Sequence, residues 1–130
     1  LAEERDQRIL VDRKARARVV ADRVMLRQAL INLVDNAIKY SPRGSVIHIG
    51  VDGSTTAATV EVQDSGTGIA PDRRDRIFDR FYRGANDGLR EGAGLGLNIA
   101  KWTVEANFGQ LAYEPRTTGG STFRITLPPA

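Results

Sequence analysis

The stretch Asn32-Leu-Val-Asp-Asn36-Ala-Ile-Lys-Tyr40 ends a strongly helical run that begins near Asp22. At about 100° per residue, the apolar side chains of this run form one stripe along the predicted helix. The stripe comprises Leu26, Ala29, Leu30, Leu33, Val34 and Ala37, widened by Ile31 and Ile38. The polar arc comprises Gln28, Asn32, Asp35, Asn36 and Lys39. The pattern predicts a helix that packs one face on a core.

Two asparagines near the end of a helix need a reason, because their side chains compete with the backbone for hydrogen bonds. Asn32 and Asn36 lie one turn apart on the same face. One interpretation is a solvated polar face with a fraying end. The other is a set of oxygen ligands and a cation, Lys39, directed at one cluster of phosphates and metal. The rest of the chain decides between them.

Composition predicts one globular domain: 130 residues, 41% hydrophobic and 27% charged, with a net charge of +3. No apolar run approaches the roughly 20 residues that span a bilayer. Basic residues are interleaved with acidic ones, whereas a nucleic-acid binder more often has a clustered basic face. There is no cysteine, and the single His48 cannot build a multi-histidine metal site. The chain begins at Leu1, so we expect a fragment of a longer protein.

Hydrophobic patterning predicts alternating strands and helices. The expected strands are residues 8–12, 17–21, 45–51, 57–63, 110–114 and 121–127, and the expected helices are residues 22–40, 72–81 and 93–108. Asp52-Gly53 is expected to turn a hairpin and Gly109 to cap a helix C-terminus. Apart from the short helix 72–81, the order of elements is β-β-α-β-β-α-β-β. This order favours an α/β (α+β) two-layer sandwich, a mixed sheet with helices on one face. Residues 1–7 are expected to be a linker.

Residues 83–96 contain five glycines and no hydrophobic periodicity, which predicts a long flexible loop. Gly92-Ala-Gly-Leu-Gly-Leu97 fits neither the Rossmann fingerprint, which needs a preceding strand and a further glycine, nor a P-loop. Alone, these glycines could be a mobile surface loop. They become informative because three other elements accompany them: the asparagine-rich helix end, Asp64-Ser-Gly-Thr-Gly68 and Gly119-Gly-Ser-Thr-Phe123.

Together these motifs resemble the catalytic, ATP-binding domain of bacterial sensor histidine kinases, in the gyrase, heat-shock chaperone, histidine kinase and mismatch-repair ATPase superfamily. Residues 32–41 resemble its asparagine box, residues 64–68 and 92–97 its two glycine boxes, and residues 119–123 its closing element. Ile77-Phe-Asp-Arg-Phe-Tyr-Arg83 resembles its phenylalanine box. The resemblance spans roughly residues 8–127.

The resemblance implies a site for ATP and Mg²⁺. Asn36 corresponds to the magnesium-binding asparagine, and a hard cation prefers oxygen ligands. Asn32 would support the phosphates or the waters of the metal, and Lys39 would neutralise phosphate charge. Asp64 would accept a hydrogen bond from the adenine 6-amino group, with Tyr40 packed beside the adenine or ribose. Tyr40 could instead be only a core edge, and Asp64 only a turn cap.

Glycines and arginines complete the implied site. Gly66 and Gly68 would let the backbone approach the base, and residues 84–94 would form an ATP lid. The second glycine box, Gly92, Gly94, Leu95, Gly96 and Leu97, would take phosphate oxygens at the positive end of the following helix. Arg80 or Arg83 would contact the γ-phosphate, with Phe78 and Phe81 anchoring the base of the lid. Thr122 could add a hydroxyl to the phosphates or be simply a strand threonine.

The superfamily includes hydrolases, in which a glutamate one turn before the magnesium-binding asparagine activates water. Here that position is Asn32, which cannot act as a general base at neutral pH. Asp35 points about 100° away from Asn36 around the helix. The pattern therefore favours a histidine kinase over an ATP-hydrolysing chaperone or clamp module. A nucleotide-sensing scaffold without enzymatic activity is the third interpretation.

The phosphoacceptor box of the family is missing from this sequence, and His48 lies in a different context. We therefore expect the chain to depend on a separate dimerisation and phosphoacceptor domain, and to act indirectly on a response regulator. The parent protein is expected to be a membrane-attached homodimer. This chain would then be a monomeric cytoplasmic domain without a nucleic-acid partner.

Overall fold

A computed structural model describes residues 6–13, 19–54, 56–79 and 95–129. The strands are Arg8–Arg13 (β1), Val46–Gly53 (β2), Ala58–Gln63 (β3), Gln110–Pro115 (β4) and Ser121–Leu127 (β5). The helices are Arg23–Tyr40 (α1) and Leu95–Ala106 (α2), and a short 3₁₀ turn covers Pro71–Arg73. Within the described ranges, neither helix is long and apolar enough to cross a membrane.

The strands form one mixed sheet in the order β1-β2-β3-β5-β4. β1 pairs with β2 in parallel, because α1 connects them as a crossover, and the other pairs are antiparallel. β5 therefore lies between β3 and β4, with Thr122 beside Gln63. This register brings the loop that follows β3 against the turn between β4 and β5.

The core lies between the sheet and the two helices, which pack against each other. Both helices and four strands contribute to one buried cluster. Its members include Leu33, Ala37, Ala100 and Val104 from the helices and Ile47, Val62, Leu111, Phe123 and Ile125 from the sheet. Alternate positions such as His48 lie on the opposite, exposed face. The predicted two-layer α/β sandwich with helices on one face is confirmed.

Helix α1 begins and ends as the sequence predicts. The Oδ1 atom of Asp22 accepts hydrogen bonds from the backbone N–H groups of Val24 (3.0 Å) and Met25 (3.1 Å), which satisfies donors without a partner inside the helix. The helix stops at Tyr40, and Ser41 is already extended ahead of a proline. Ile31, which the sequence placed in the apolar stripe, is instead 45% exposed, because the core contacts a narrower arc of the helix.

Three predicted local features are wrong. Val19 and Val20 are not in a strand; Val19 packs on the core and Val20 is exposed. The first two residues of that predicted strand, 17 and 18, lie outside the described residues. The hairpin after β2 does not turn at Asp52-Gly53, because β2 continues through Gly53 and the turn is closed by the N–H of Ser54 donating to the carbonyl of Ala57 at 2.8 Å.

The third difference concerns the helix predicted over residues 72–81. After Pro71–Arg73 the chain continues as turns, with backbone bonds that span three residues rather than four, from Arg76 to Arg73 and from Asp79 to Arg76. Such bonds form the tighter 3₁₀ geometry, which is normally used in short pieces. The last two residues of the predicted helix lie outside the described ranges.

The C-terminus of α2 closes with Phe108, not Gly109, in the left-handed conformation. Phe108 has φ +65°, and its N–H donates to the carbonyl of Glu105 while the N–H of Gly109 donates to the carbonyl of Val104. These two bonds form a Schellman motif. Gly109 is needed for space, since a Cβ there would lie 2.6 Å from the carbonyl oxygen of Thr126. The prediction of a glycine C-cap at 109 was therefore displaced by one residue.

Phe108→Gly is expected to raise the free energy of unfolding by about 1 kcal/mol, because left-handed backbone is costly for residues that carry a Cβ. The Phe108 ring is 84% exposed, so its removal sacrifices little burial. Phe108→Ala is the matched control, since alanine keeps the Cβ and the strain. Urea unfolding of the three proteins measures the effect. A glycine variant no more stable than the alanine variant would contradict it.

Candidate functional site

Asp64 is a buried carboxylate at the start of the loop after β3. It is only 3% exposed, and its Oδ1 atom accepts hydrogen bonds from the N–H groups of Gly66 (2.9 Å) and Ser121 (3.3 Å). Among the described residues no donor engages Oδ2. The carboxylate is thus fixed by the backbone through one oxygen and retains an acceptor for a ligand donor.

Burial raises the pKa of the Asp64 carboxyl above its ordinary value of 3.8. The hydrogen bonds from Gly66 and Ser121 and the positive charge of Arg116 oppose this rise without cancelling it. A ligand that donates a hydrogen bond to the charged carboxylate would lower the pKa again. Ligand binding at this position therefore compensates a cost that the free protein carries.

Two glycines allow the backbones around Asp64 to meet. A Cβ at Gly66 would overlap the carbonyl oxygen of Tyr40, the last residue of α1. A Cβ at Gly120 would overlap the carbonyl oxygen of Asp64, and Gly120 also has φ +104°. Gly68 lies close to Gly120. The end of α1, the loop after β3 and the β4–β5 turn are consequently in direct contact.

The β4–β5 hairpin holds the same loop at two further points, which the sequence did not predict. The Arg116 guanidinium donates to the carbonyl oxygen of Asp64 at 2.8 Å. The N–H of Ile69 donates to the Tyr113 hydroxyl at 3.1 Å, and Arg74 donates to the carbonyl of Ile69 at 3.1 Å. The only signal in the sequence was the position of Arg116 just before the closing glycine element.

The polar face of α1 carries the predicted metal and phosphate residues. Asn32, Asn36 and Lys39 are half-buried, and Tyr40 is 39% exposed. The side-chain amide of Gln28 donates to Oδ1 of Asn32 at 3.2 Å. Tyr40 lies against Gly66, so this end of the helix adjoins the loop that holds Asp64.

Helix α2 begins beside the same face of α1. A Cβ at Gly96 would lie 3.9 Å from the Cβ of Asn32. The first N–H groups of an α-helix lack partners within the helix and carry a partial positive charge. Gly96, in the first turn of α2, lies next to Asn32. Leu97 follows it in the same turn and is half-buried.

Phe78, after the 3₁₀ turn, packs against the core. Its ring meets that of Phe123 edge-on at 6.2 Å, and the Lys101 ammonium lies 5.2 Å from its centre. The Asn98 side chain, another residue that the sequence did not single out, donates to the carbonyl of Phe78 at 3.1 Å. These contacts hold Phe78 against the core, and its expected role at the base of a lid stays a prediction.

The described contacts of Thr122 are those of a strand residue. The Thr122 hydroxyl accepts from the Gln63 side chain at 3.3 Å, and strand alternation puts it on the face opposite Phe123 and the helices. The contacts thus favour the strand-threonine interpretation. Arg80, Phe81, Arg83, Gly92 and Gly94 lie outside the described residues, as does the side chain of Leu95.

Comparisons with known proteins agree with this geometry. Residues 21–130 match the model of the family described as Histidine kinase-, DNA gyrase B-, and HSP90-like ATPase. The chain belongs to this family of ATP-binding domains.

Within the family, similar proteins include sensory kinases. The adaptive-response sensory kinase SasA of Trichormus variabilis is 42% identical over 111 residues, which cover 85% of this chain and 28% of SasA. The solved mycobacterial sensor histidine kinase MprB superposes with a TM-score of 0.88 at 30% identity, covering 98% of this chain and 88% of that one.

The full-length ShkA structure in complex with AMPPNP has a TM-score of 0.85 at 30% identity, covering 99% of this chain and 27% of ShkA. The predicted family, a histidine kinase catalytic domain, is confirmed. The chain spans 28–32% of the length of the curated relatives.

Asp64→Asn is expected to remove a pH-dependent loss of stability. Because the pKa of Asp64 is raised in the folded state, the folded protein binds this proton more tightly, and stability falls as the pH rises from 3.8 through the raised value. The free energy of unfolding falls by about 1.4 kcal/mol for each pH unit by which the pKa of Asp64 is raised. Unfolding free energies of both proteins, measured from about pH 3 to 7, give a difference curve that isolates Asp64. A difference independent of pH would contradict this.

Proposed function

We propose that this chain is the catalytic domain of a sensor histidine kinase, which binds Mg-ATP and transfers its γ-phosphoryl group to a histidine on a separate domain. One observation carries the proposal. The asparagine face of α1 adjoins the Asp64 loop at one end and the N-terminus of α2 at Asn32. The Asp64 carboxylate, the amide oxygens of Asn32 and Asn36 and the first N–H groups of α2 thereby lie near one another, which supports the proposal.

Asp64 supports recognition of adenine. Its Oδ2 atom is left without a described donor, while Oδ1 is fixed by Gly66 and Ser121. A carboxylate can accept from the adenine 6-amino group, whereas guanine presents a carbonyl oxygen there, so this position favours ATP over GTP. Gly66 and Gly68 keep side chains away from the base, and Tyr40 would border the base or ribose.

The α1 residues fit a magnesium ion that is bound with nucleotide. Within the described ranges no group of three or more histidine or acidic side chains could hold a metal. A cation here would rely on the amide oxygen of Asn36 together with phosphate and water oxygens, as Mg²⁺ commonly does. When bound, Mg²⁺ neutralises charge on the phosphates during transfer. Asn32 and Lys39 would hold the phosphates and the waters of the metal.

The phosphates would lie at the start of α2. The N–H groups of Gly96 and Leu97 belong to its first turn, where the helix dipole favours negative charge. We extend this proposal to Gly92, Gly94 and Leu95 of the same box, and to a lid over residues 84–94. Arg80 or Arg83 would contact the γ-phosphate.

Asn32 supports transfer rather than hydrolysis. It occupies the position where the hydrolysing relatives have a glutamate, and its Oδ1 already accepts a hydrogen bond from Gln28. An amide cannot take a proton from water at neutral pH, so the nucleophile must come from elsewhere. The domain contributes position and charge neutralisation. The nucleophile would be a histidine on a dimerisation and phosphoacceptor domain of a membrane-attached parent, which then passes the phosphoryl group to a response regulator.

Asn36→Ala is expected to weaken binding of a non-hydrolysable ATP analogue about ten-fold or more in the presence of Mg²⁺, and much less in its absence, because a metal ligand is lost. Isothermal titration with and without Mg²⁺ measures both values. His48→Ala is the control; this exposed strand residue should leave binding unchanged. Equal losses with and without Mg²⁺ would contradict the assignment of Asn36 to the metal.

The reaction itself is tested by mixing the chain, radiolabelled Mg-ATP and the phosphoacceptor domain of the parent kinase. We expect acid-labile phosphate on the acceptor histidine and slow phosphate release by the chain alone. Asn32→Glu should accelerate that release, because a carboxylate can accept a proton from water. Rapid release by the native chain without transfer would support the hydrolase instead.

A further inference from the structure

Gln7 is a buried polar side chain just ahead of β1, contributed by a segment that the sequence predicted as linker. The residue is 5% exposed. Its Nε2 atom lies 3.2 Å from the carbonyl oxygen of Ile38, 3.2 Å from that of Ser41 and 3.3 Å from that of Pro42. An amide group has two hydrogens to donate, so it shares them among these three acceptors.

The contact with Ile38 has a specific cause. In an α-helix the carbonyl of Ile38 would accept from the N–H of residue 42, but residue 42 is proline and has none. The preceding carbonyl, that of Ala37, is satisfied by the N–H of Ser41 at 3.1 Å. Gln7 therefore supplies to the end of α1 the donor that Pro42 cannot supply.

The end of α1 that Gln7 stabilises is the end that borders the nucleotide site. Its last turn contains Lys39 and Tyr40, and Asn36 lies one turn earlier. In sequence, Tyr40 lies between Ile38 and Ser41, whose carbonyls accept from Gln7. The carbonyl of Tyr40 packs against Gly66. Gly66 in turn donates to Asp64. Gln7 is therefore connected to the buried carboxylate of Asp64 through the last turn of α1 and Gly66.

The attachment of this segment is suited to release. Among the described residues, the buried Oε1 atom of Gln7 has no hydrogen-bond partner. The buried position therefore leaves one hydrogen-bonding group of this amide unsatisfied. The neighbouring Asp6–Arg43 ion pair is 3.3 Å long with both side chains more than 70% exposed, and such pairs contribute little. Gln7 is thus the main described tie between this segment and α1.

We propose that Gln7 is a positioning residue for the nucleotide site. It holds the last turn of α1 in the conformation that binds nucleotide, so that withdrawal of residues 6 and 7 from α1 weakens nucleotide binding. The inference rests on the proposed function and adds to it a route by which the segment ahead of β1 controls the site. Because coupling is reciprocal, bound nucleotide also strengthens the attachment of Gln7.

The test compares Gln7→Met, which keeps the size of the side chain but removes its donors, with Asp22→Ala. The second variant weakens the same helix at its other end, roughly 27 Å away. Binding of a non-hydrolysable ATP analogue with Mg²⁺ is titrated at a temperature at which all three proteins are folded. We expect Gln7→Met to weaken binding at least about five-fold and Asp22→Ala to change it less than about two-fold.

A second measurement uses the native chain alone, and does not depend on whether a variant folds. Saturation with the analogue should slow amide hydrogen exchange at Arg8 and Ser41, whose N–H groups bond to the carbonyls of Ser45 and Ala37. Unchanged exchange at both amides, or equal affinity of the native and Gln7→Met proteins, would overturn the proposed role of Gln7 but not the proposed function. Failure of the native chain to bind the analogue would overturn the proposed function as well.

Discussion

The close approach of three backbones around Asp64 is the constraint on which the rest of the site depends. The loop after β3 lies between the last carbonyl of α1 and the β4–β5 turn, and neither contact leaves room for a Cβ at Gly66 or Gly120. Because the loop contacts α1 on one side and is bonded to the hairpin on the other, the helix with its asparagines has a fixed position relative to the carboxylate. Under the proposed function, this fixed position lets Asn36 and Asp64 act on one nucleotide.

Much of this arrangement could be predicted from sequence, because its main parts are local patterns. Asp22, the apolar stripe and the proline after Ser41 define α1 within a residue. The motifs at residues 64–68 and 119–123 carry their own turn chemistry, and the order of the boxes identified the family before any coordinates. The proposed role of Asn32 also rests on a local pattern, its spacing to Asn36.

The remainder depended on contacts between residues far apart in the chain. The position of Arg116 before the closing glycine element does not by itself indicate that its guanidinium reaches the carbonyl of Asp64, and nothing near Gln7 indicates a buried amide. The Arg116 contact and the burial of Gln7 both follow from the order of strands in the sheet, which hydrophobic patterning of the sequence does not specify. Local propensity also failed where tertiary context decides: Val19 and Val20 are β-prone, but they form no ladder. Phe108 takes a left-handed conformation that its type disfavours, in the Schellman motif that closes α2.

The position of β5 between β3 and β4 has a consequence for how the protein is made. A ribosome releases residues in order, so Asp64 emerges well before Arg116, Gly120 and Ser121, which hold it in place. Until β5 joins the sheet, the Asp64 carboxylate lacks the N–H of Ser121 and the core lacks its most buried strand. Under the proposed function, the Asp64 position is therefore complete for nucleotide only once β5 has joined the sheet.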